Sequence, residues 1–268
     1  MNILKRVLLQ QITLKGEVAR SVHRMQYLQV HNSHHGNRLS HLTKTLQLES
    51  IAPSKCSHIE TITNRQYSSQ TARSKSDPWW KKIFGNMKTS KSILEGKSML
   101  LYAQGVDQLN HNDFVVKFQM PNTFNSWFLI TEIHVWMLMV RAMAERENGQ
   151  IIRNGIVAAL WTDALERSKP LAPGSMRLIK KQIEEISEQF QYAIVAYDEG
   201  LTTDDKQLAS ALWKRFFESN CDNYEHIELL IKYIRYNIAH LDKMNSQEFL
   251  DKRNIDWPSL NDLEKGKL

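Results

Sequence analysis

A chain of 268 residues, 42% hydrophobic, with only 10 glycines and 6 prolines, can hold one large domain or two small ones and favours long helices over strands joined by tight turns. Its formal charge of +6 lies almost wholly at one end: residues 1–76 carry 11 Lys and Arg against 3 acids, whereas residues 77–268 carry 24 against 26. Bulk charge therefore gives the larger part no nucleic-acid footprint, and two cysteines, Cys56 and Cys221, exclude a disulfide framework.

The N-terminal stretch places Leu4, Val7, Leu8, Leu14, Val18, Val22 and Met25 near a 3.6-residue period, with Lys5, Arg6, Lys15, Arg20 and Arg24 between them. A basic amphipathic helix with one acid, followed by an acid-poor Ser/Thr/His/Gln-rich stretch, is the pattern of a mitochondrial transit peptide. Gln10 and Gln11 interrupt the apolar run that a secretory signal needs. Arg65-Gln-Tyr-Ser-Ser69 resembles a matrix processing site, so residues 1–67 are expected to be the transit peptide and Ser68 the mature start. His34 and His35 have no Cys or carboxylate at ligand spacing, and no metal site is expected there.

Residues 68–97 form a lead-in. Within it, Asp77-Pro78-Trp79-Trp80-Lys81-Lys82-Ile83-Phe84 opens a short helix, with Asp as N-cap and Pro in the first turn. Its tryptophans and lysines suit a bilayer interface, a partner's groove, or packing on the domain itself. Helical spacing then continues through residues 98–109 and 112–119, until Met120-Pro121 breaks it. Asn122, Thr123 and Asn125 are alternative caps for a long helix reaching Glu147, where Asn148-Gly149 stops it. Further helices are read over 150–168 and 175–197, from the Thr202-Thr-Asp-Asp205 cap, from Asp222, and over 245–253. The fold class is thus all-α: six to eight helices in one bundle-like domain over 98–250, with residues 251–268 as a C-terminal tail, frayed after Trp257-Pro258.

Residues 127–140 are the most apolar run of the chain, but Glu132 and His134 interrupt it short of the roughly 20 residues that a membrane span needs. Two residues apart on a helix, those side chains point about 200° from each other, so they do not form one site by themselves. No H-E-x-x-H, G-x-S-x-G, P-loop or G-x-G-x-x-G pattern is present. Asp198, Glu199, Asp204 and Asp205 form an acidic turn without EF-hand spacing, for which helix capping by Gly200 and by the next N-terminus is the structural account.

Met120-Pro-Asn-Thr-Phe-Asn-Ser-Trp-Phe-Leu-Ile-Thr131 with His134-Val-Trp136 resembles the signature of the ubiquinol–cytochrome c chaperone family. A second stretch of that family is matched by Tyr197-Asp-Glu-Gly200, Asp204-Asp205, Leu208-Ala-Ser-Ala-Leu-Trp213 and Phe216-Phe217. The resemblance spans roughly residues 98–245; Asn122 departs from the family's aspartate but keeps its capping ability. It implies a non-enzymatic, all-helical assembly chaperone of respiratory complex III, peripheral on the matrix side of the mitochondrial inner membrane. It further implies newly made cytochrome b, a small helical assembly factor and the mitochondrial ribosome as partners, with no cofactor, no metal and no direct DNA binding.

The residues expected at partner contacts are Trp79 and Trp80 in the lead-in, Phe124, Trp127, Phe128, His134, Trp136 and Arg141 in the apolar helix, and Asp198, Glu199 and Trp213 in the second stretch. Plain core packing is the competing account of Trp127 and Trp136. Two other functions stay open: a helical matrix enzyme using His134, and a peripheral lipid-binding protein using the Trp79-Trp80-Lys81-Lys82 stretch.

Overall fold

The computed structural model describes residues 90–106, 109–145, 148–251 and 255–266. Among the described residues there are nine α-helices and no strand: α1 (Ser90–Val106), α2 (His111–Lys117), α3 (Phe124–Ala142), α4 (Gly149–Ser168), α5 (Met176–Thr202), α6 (Asp205–Arg215), α7 (Tyr224–Lys243), α8 (Ser246–Asp251) and α9 (Leu260–Glu264). The expected transit peptide and lead-in, including Trp79 and Trp80, lie outside the described residues.

Thr123 is the cap selected from the three candidates, its Oγ1 accepting from the Ser126 N–H at 3.3 Å. From there α3 is apolar on every side, which places a helix inside a bundle rather than on its surface. All of its residues except Asn125 are buried. It ends at Ala142 rather than Glu147, because Gly149 does not stop it but opens α4. A Cβ at position 149 would lie 2.8 Å from the Ala142 carbonyl oxygen, so glycine permits the tight reversal.

Ring contacts fix the packing around α3. Phe128 stacks on Trp161 of the antiparallel α4 at 5.7 Å, and Trp161 meets Phe190 of α5 edge to face at 5.4 Å. Trp136 packs against Tyr197 of α5, while Phe114 of α2 contacts His134 of α3 and Tyr233 of α7. Burying each such aromatic side chain stabilises the fold by about 1.5–3 kcal/mol before entropy is counted. Aromatic pairing adds about 0.5–1.5 kcal/mol per contact.

Two glycines set close helix crossings. A Cβ on Gly155 would sit 2.5 Å from the Ser98 Cβ of α1, and one on Gly200 would sit 2.5 Å from the Leu208 Cα of α6. Gly200 is therefore not a helix end, as its sequence neighbours suggested: α5 continues to Thr202, and the glycine admits the backbone of α6. The capping role falls to Asp204, which accepts from the Gln207 N–H at 2.9 Å.

The boundaries also differ from expectation. Helix α1 begins at Ser90, ahead of residue 98, and the C-terminal segment is packed rather than frayed. Ile255 and Leu260 are buried, the Trp257 indole donates to the Gly105 carbonyl at 2.5 Å, and Lys117 donates to Glu264 at 2.5 Å. Its apolar residues are too few to show a period, so their burial by α1, α2 and α7 was not readable locally.

Candidate functional site

The polar residues of α3 diverge as their spacing requires. Glu132 faces α5 and α6, where it accepts from Arg215 Nη2 at 2.6 Å and Arg215 Nε at 3.0 Å, and from the Tyr197 hydroxyl at 3.2 Å. Burial raises the Glu132 carboxyl from its ordinary value, and the Arg215 guanidinium opposes that rise. Desolvation alone would depress Arg215; the carboxylate beside it reverses the direction and holds the guanidinium charged. Gln189 takes the remaining Nη1 at 2.7 Å, so the pair is closed by α3, α5 and α6 together.

His134 faces α7 instead. Its Nδ1 meets the Ile130 carbonyl at 2.7 Å and its Nε2 meets the Tyr233 hydroxyl at 2.7 Å. A carbonyl can only accept, so Nδ1 carries the proton and Nε2 accepts from the tyrosine. Burial holds the imidazole neutral, its pKa lowered to about 3.

Trp136 donates its indole N–H to Asp198 at 2.8 Å. Burial pushes the Asp198 carboxyl up to about 7, the indole opposing, and its second oxygen has no hydrogen-bond partner among the described residues. Arg141 closes the far end of α7: Nε donates to the Leu241 carbonyl at 2.8 Å and Nη2 to the Met244 carbonyl at 2.8 Å, while the guanidinium lies 4.6 Å over the Phe249 ring. A cation at a helix C-terminus satisfies carbonyls that have no helical partner and complements the dipole.

These positions correct the expectation of contact residues along α3. Phe124, Trp127, Phe128, His134, Trp136 and Arg141 are all interior, as is Asp198 on α5. A partner cannot reach them without opening the bundle, and apart from the second Asp198 oxygen the polar side-chain atoms described above bond within it. Trp127 also has the Arg167 guanidinium 4.6 Å over its ring. Glu199 and Trp213 remain at the surface, Trp213 at 37% exposure with its indole donating to the Cys221 carbonyl at 3.2 Å. The exposed face of α5 adds Tyr192, 78% exposed, and Val195, 39% exposed, next to Glu199 at helical spacing.

Arg215 and Tyr233 were not singled out by sequence reasoning, and Tyr197 entered only as part of the second family stretch. A carboxylate within an apolar helix signals that a buried cation partner exists, but Arg215 lies 83 residues away and spacing could not name it. A cleft of about 330 Å³ opens between α2, α7 and the C-terminal segment, with Asp113, Phe114, Tyr233, Asp256 and Trp257 among its walls. His134 touches the Tyr233 and Trp257 rings from behind but does not line the cleft. Among the described residues, no group of His, Cys, Asp and Glu is arranged to hold a metal ion, and no helix is long and apolar enough to cross a membrane.

Among the described residues, then, the scaffold is all helical, pairs Glu132 with Arg215 inside, and leaves Tyr192, Val195 and Trp213 at the surface. Residues 116–257 match the family model described as ubiquinol-cytochrome C chaperone. The chain belongs to that family. It is 47% identical over 175 residues to ubiquinol-cytochrome c reductase complex assembly factor 1 of Drosophila melanogaster, covering 64% of this chain and 68% of that one. It is 37% identical over 176 residues to the Homo sapiens protein of the same name, covering 66% of this chain and 58% of that one. A Saccharomyces cerevisiae relative, protein CBP3, mitochondrial, is 32% identical over 140 residues, 51% of this chain and 42% of that one. No solved structure matches the chain.

Proposed function

We propose that this protein is a non-enzymatic assembly factor of ubiquinol–cytochrome c reductase, respiratory complex III. It binds newly synthesised cytochrome b together with a small helical partner, supports its synthesis and stabilisation, and works beside the mitochondrial ribosome. It acts in mitochondria, peripheral to the inner membrane on the matrix side. The observation that carries this reading is the family match itself, which runs from α2 to Trp257 and so takes in the central helix with the helices packed on it. The names of the relatives supply complex III assembly and, for the yeast protein, the mitochondrion.

Interior use of Glu132, His134 and Asp198 supports holding over catalysis, since none of the three lines the cleft between α2, α7 and the C-terminal segment. Holding an apolar segment needs only hydrophobic area to cover, at about 25 cal/mol per Å². The surface for it is proposed at Trp213, Glu199 and the Tyr192–Val195 face of α5, with Trp79 and Trp80 as further contacts. A partner helix laid along that face would be held in the helix-in-groove mode.

The test is affinity purification of the tagged protein from mitochondria after gentle solubilisation. Cytochrome b, a small assembly partner and ribosomal subunits should co-purify, and blue-native gels of cells lacking the protein should show less complex III. Recovery of none of them would remove the proposal.

A further inference from the structure

At one end of the bundle, the connection from α4 to α5 passes through a 3-10 turn, Lys169–Leu171, and then exposes residues 173–178 without a break. A Cβ built on Gly174, whose φ is +79°, would meet nothing within 4 Å, so the tip of the turn stands clear of the other described residues. Residues 167–183 contain five basic side chains and no acid, although residues 77–268 as a whole are slightly acidic. Lys169 pairs with Glu166 and Arg167 with Asp163, and Lys181 reaches Glu185 only at 3.7 Å. Arg177 and Lys180 are exposed without an ion pair among the described residues. Between these cations, Met176 is 36% and Leu178 37% exposed, next to the exposed Pro173.

We infer that the α4–α5 turn is a docking surface for an anionic phospholipid bilayer. Cations alone would suit any polyanion, and aliphatic side chains alone would suit any apolar partner; their alternation on one exposed turn suits a headgroup layer with acyl chains beneath it. Met176 and Leu178 can enter the boundary of the acyl region, to a depth of about 5–10 Å at most, while Arg177, Lys180 and Lys181 meet phosphates. RNA is the poorer fit, because single-stranded RNA is held by stacking on rings and this turn offers Met, Leu, Pro and Ala but no aromatic side chain. A protruding turn also offers no groove to a helix. The inference deepens the peripheral location proposed above and rests on that reading.

The test uses the full chain with Cys56→Ser and Cys221→Ser, carrying Ser175→Cys labelled with nitrobenzoxadiazole. Vesicles of phosphatidylcholine with about one quarter phosphatidylglycerol should brighten and blue-shift the label, pure phosphatidylcholine should not, and salt of about 0.5 M should reverse the change. Arg177→Glu with Lys180→Glu and Lys181→Glu should weaken vesicle binding at least about tenfold at unchanged helicity. Met176→Ser with Leu178→Ser should remove the blue shift. Sedimentation with vesicles while the label stays silent would assign binding to another part of the chain and overturn the proposal. A stronger response to structured RNA than to vesicles would overturn it too. Either failure leaves co-purification of complex III subunits unaffected, so it is distinguishable from failure of the assembly-factor reading.

Discussion

Glu132 and Arg215 meet side on, two guanidinium nitrogens against two carboxylate oxygens at 2.6 and 3.0 Å, with the carboxylate fully buried. Removing one partner strands the other charge in the interior. Arg215→Met is expected to cost about 3–5 kcal/mol in urea unfolding. The double change Glu132→Leu with Arg215→Met should recover most of that loss, because the desolvation penalty goes with the pair. A double variant as unstable as the single one would mean that the pair adds net stability.

His134 and Asp198 give stability opposite dependences on pH. The His134 pKa falls from 6.5 to about 3 on folding, so between those values the unfolded chain binds more protons there and stability is lost as pH drops. The Asp198 pKa rises from 3.8 to about 7, so the folded chain binds more protons there and stability is lost as pH rises through that range. From about pH 4 to 6.5 the two slopes oppose each other, each at about 1.4 kcal/mol per pH unit. Glu132, also raised on folding, adds to the falling side, so Asp198→Asn should make the slope more positive than the parent's and His134→Phe should make it more negative. Denaturation midpoints across that range would read both signs; slopes unchanged from the parent in both variants would sink the assignment.

Much of this interior was legible before any coordinates. Periodicity gave the helices and the bundle, the break expected between residues 168 and 175 fell there, and the 200° between Glu132 and His134 sent them to different neighbours. What sequence could not supply was the environment. Trp127 and Trp136 are core while Trp213 reaches the surface, and nothing in their local spacing separates them. The reason is that α3 is apolar all round, so its burial depends on neighbours distant along the chain. Gly200 misled in the same way: a glycine after acids reads as a helix end, whereas its use is to admit Leu208. The exposed Tyr192 and Val195 passed unnoticed because an apolar residue on a helix is ordinarily read as core.

Gly200→Ala should be costlier than an average helical Gly→Ala change, which otherwise gains about 0.5–1 kcal/mol from propensity. Its new methyl would meet Leu208 backbone atoms, which cannot rotate away. A loss of about 1–3 kcal/mol is expected, read as a fall in melting temperature. A stabilised variant would show that α5 and α6 separate at little cost.

Trp136→Ala and Trp213→Ala separate packing from binding. The first empties a fully buried ring site and breaks the bond to Asp198, and should cost about 3–5 kcal/mol. Trp213→Ala, on a half-exposed ring, should cost less than half as much and reduce co-purification of the assembly partner. Equal partner recovery from Trp213→Ala and the parent chain would exclude this ring from the contact surface.

The position of α3 has a consequence for how the chain comes into being. Its side chains find their partners late: His134 waits for a tyrosine 99 residues on, and Arg141 for carbonyls 100 and 103 residues on. A chain lengthened from its N-terminus therefore carries its most water-averse segment incompletely covered until α7 has been made. Through that interval a protein proposed to shelter another's apolar segment has an apolar segment of its own in need of shelter, and slow elongation between Lys169 and Lys243 would prolong the exposure.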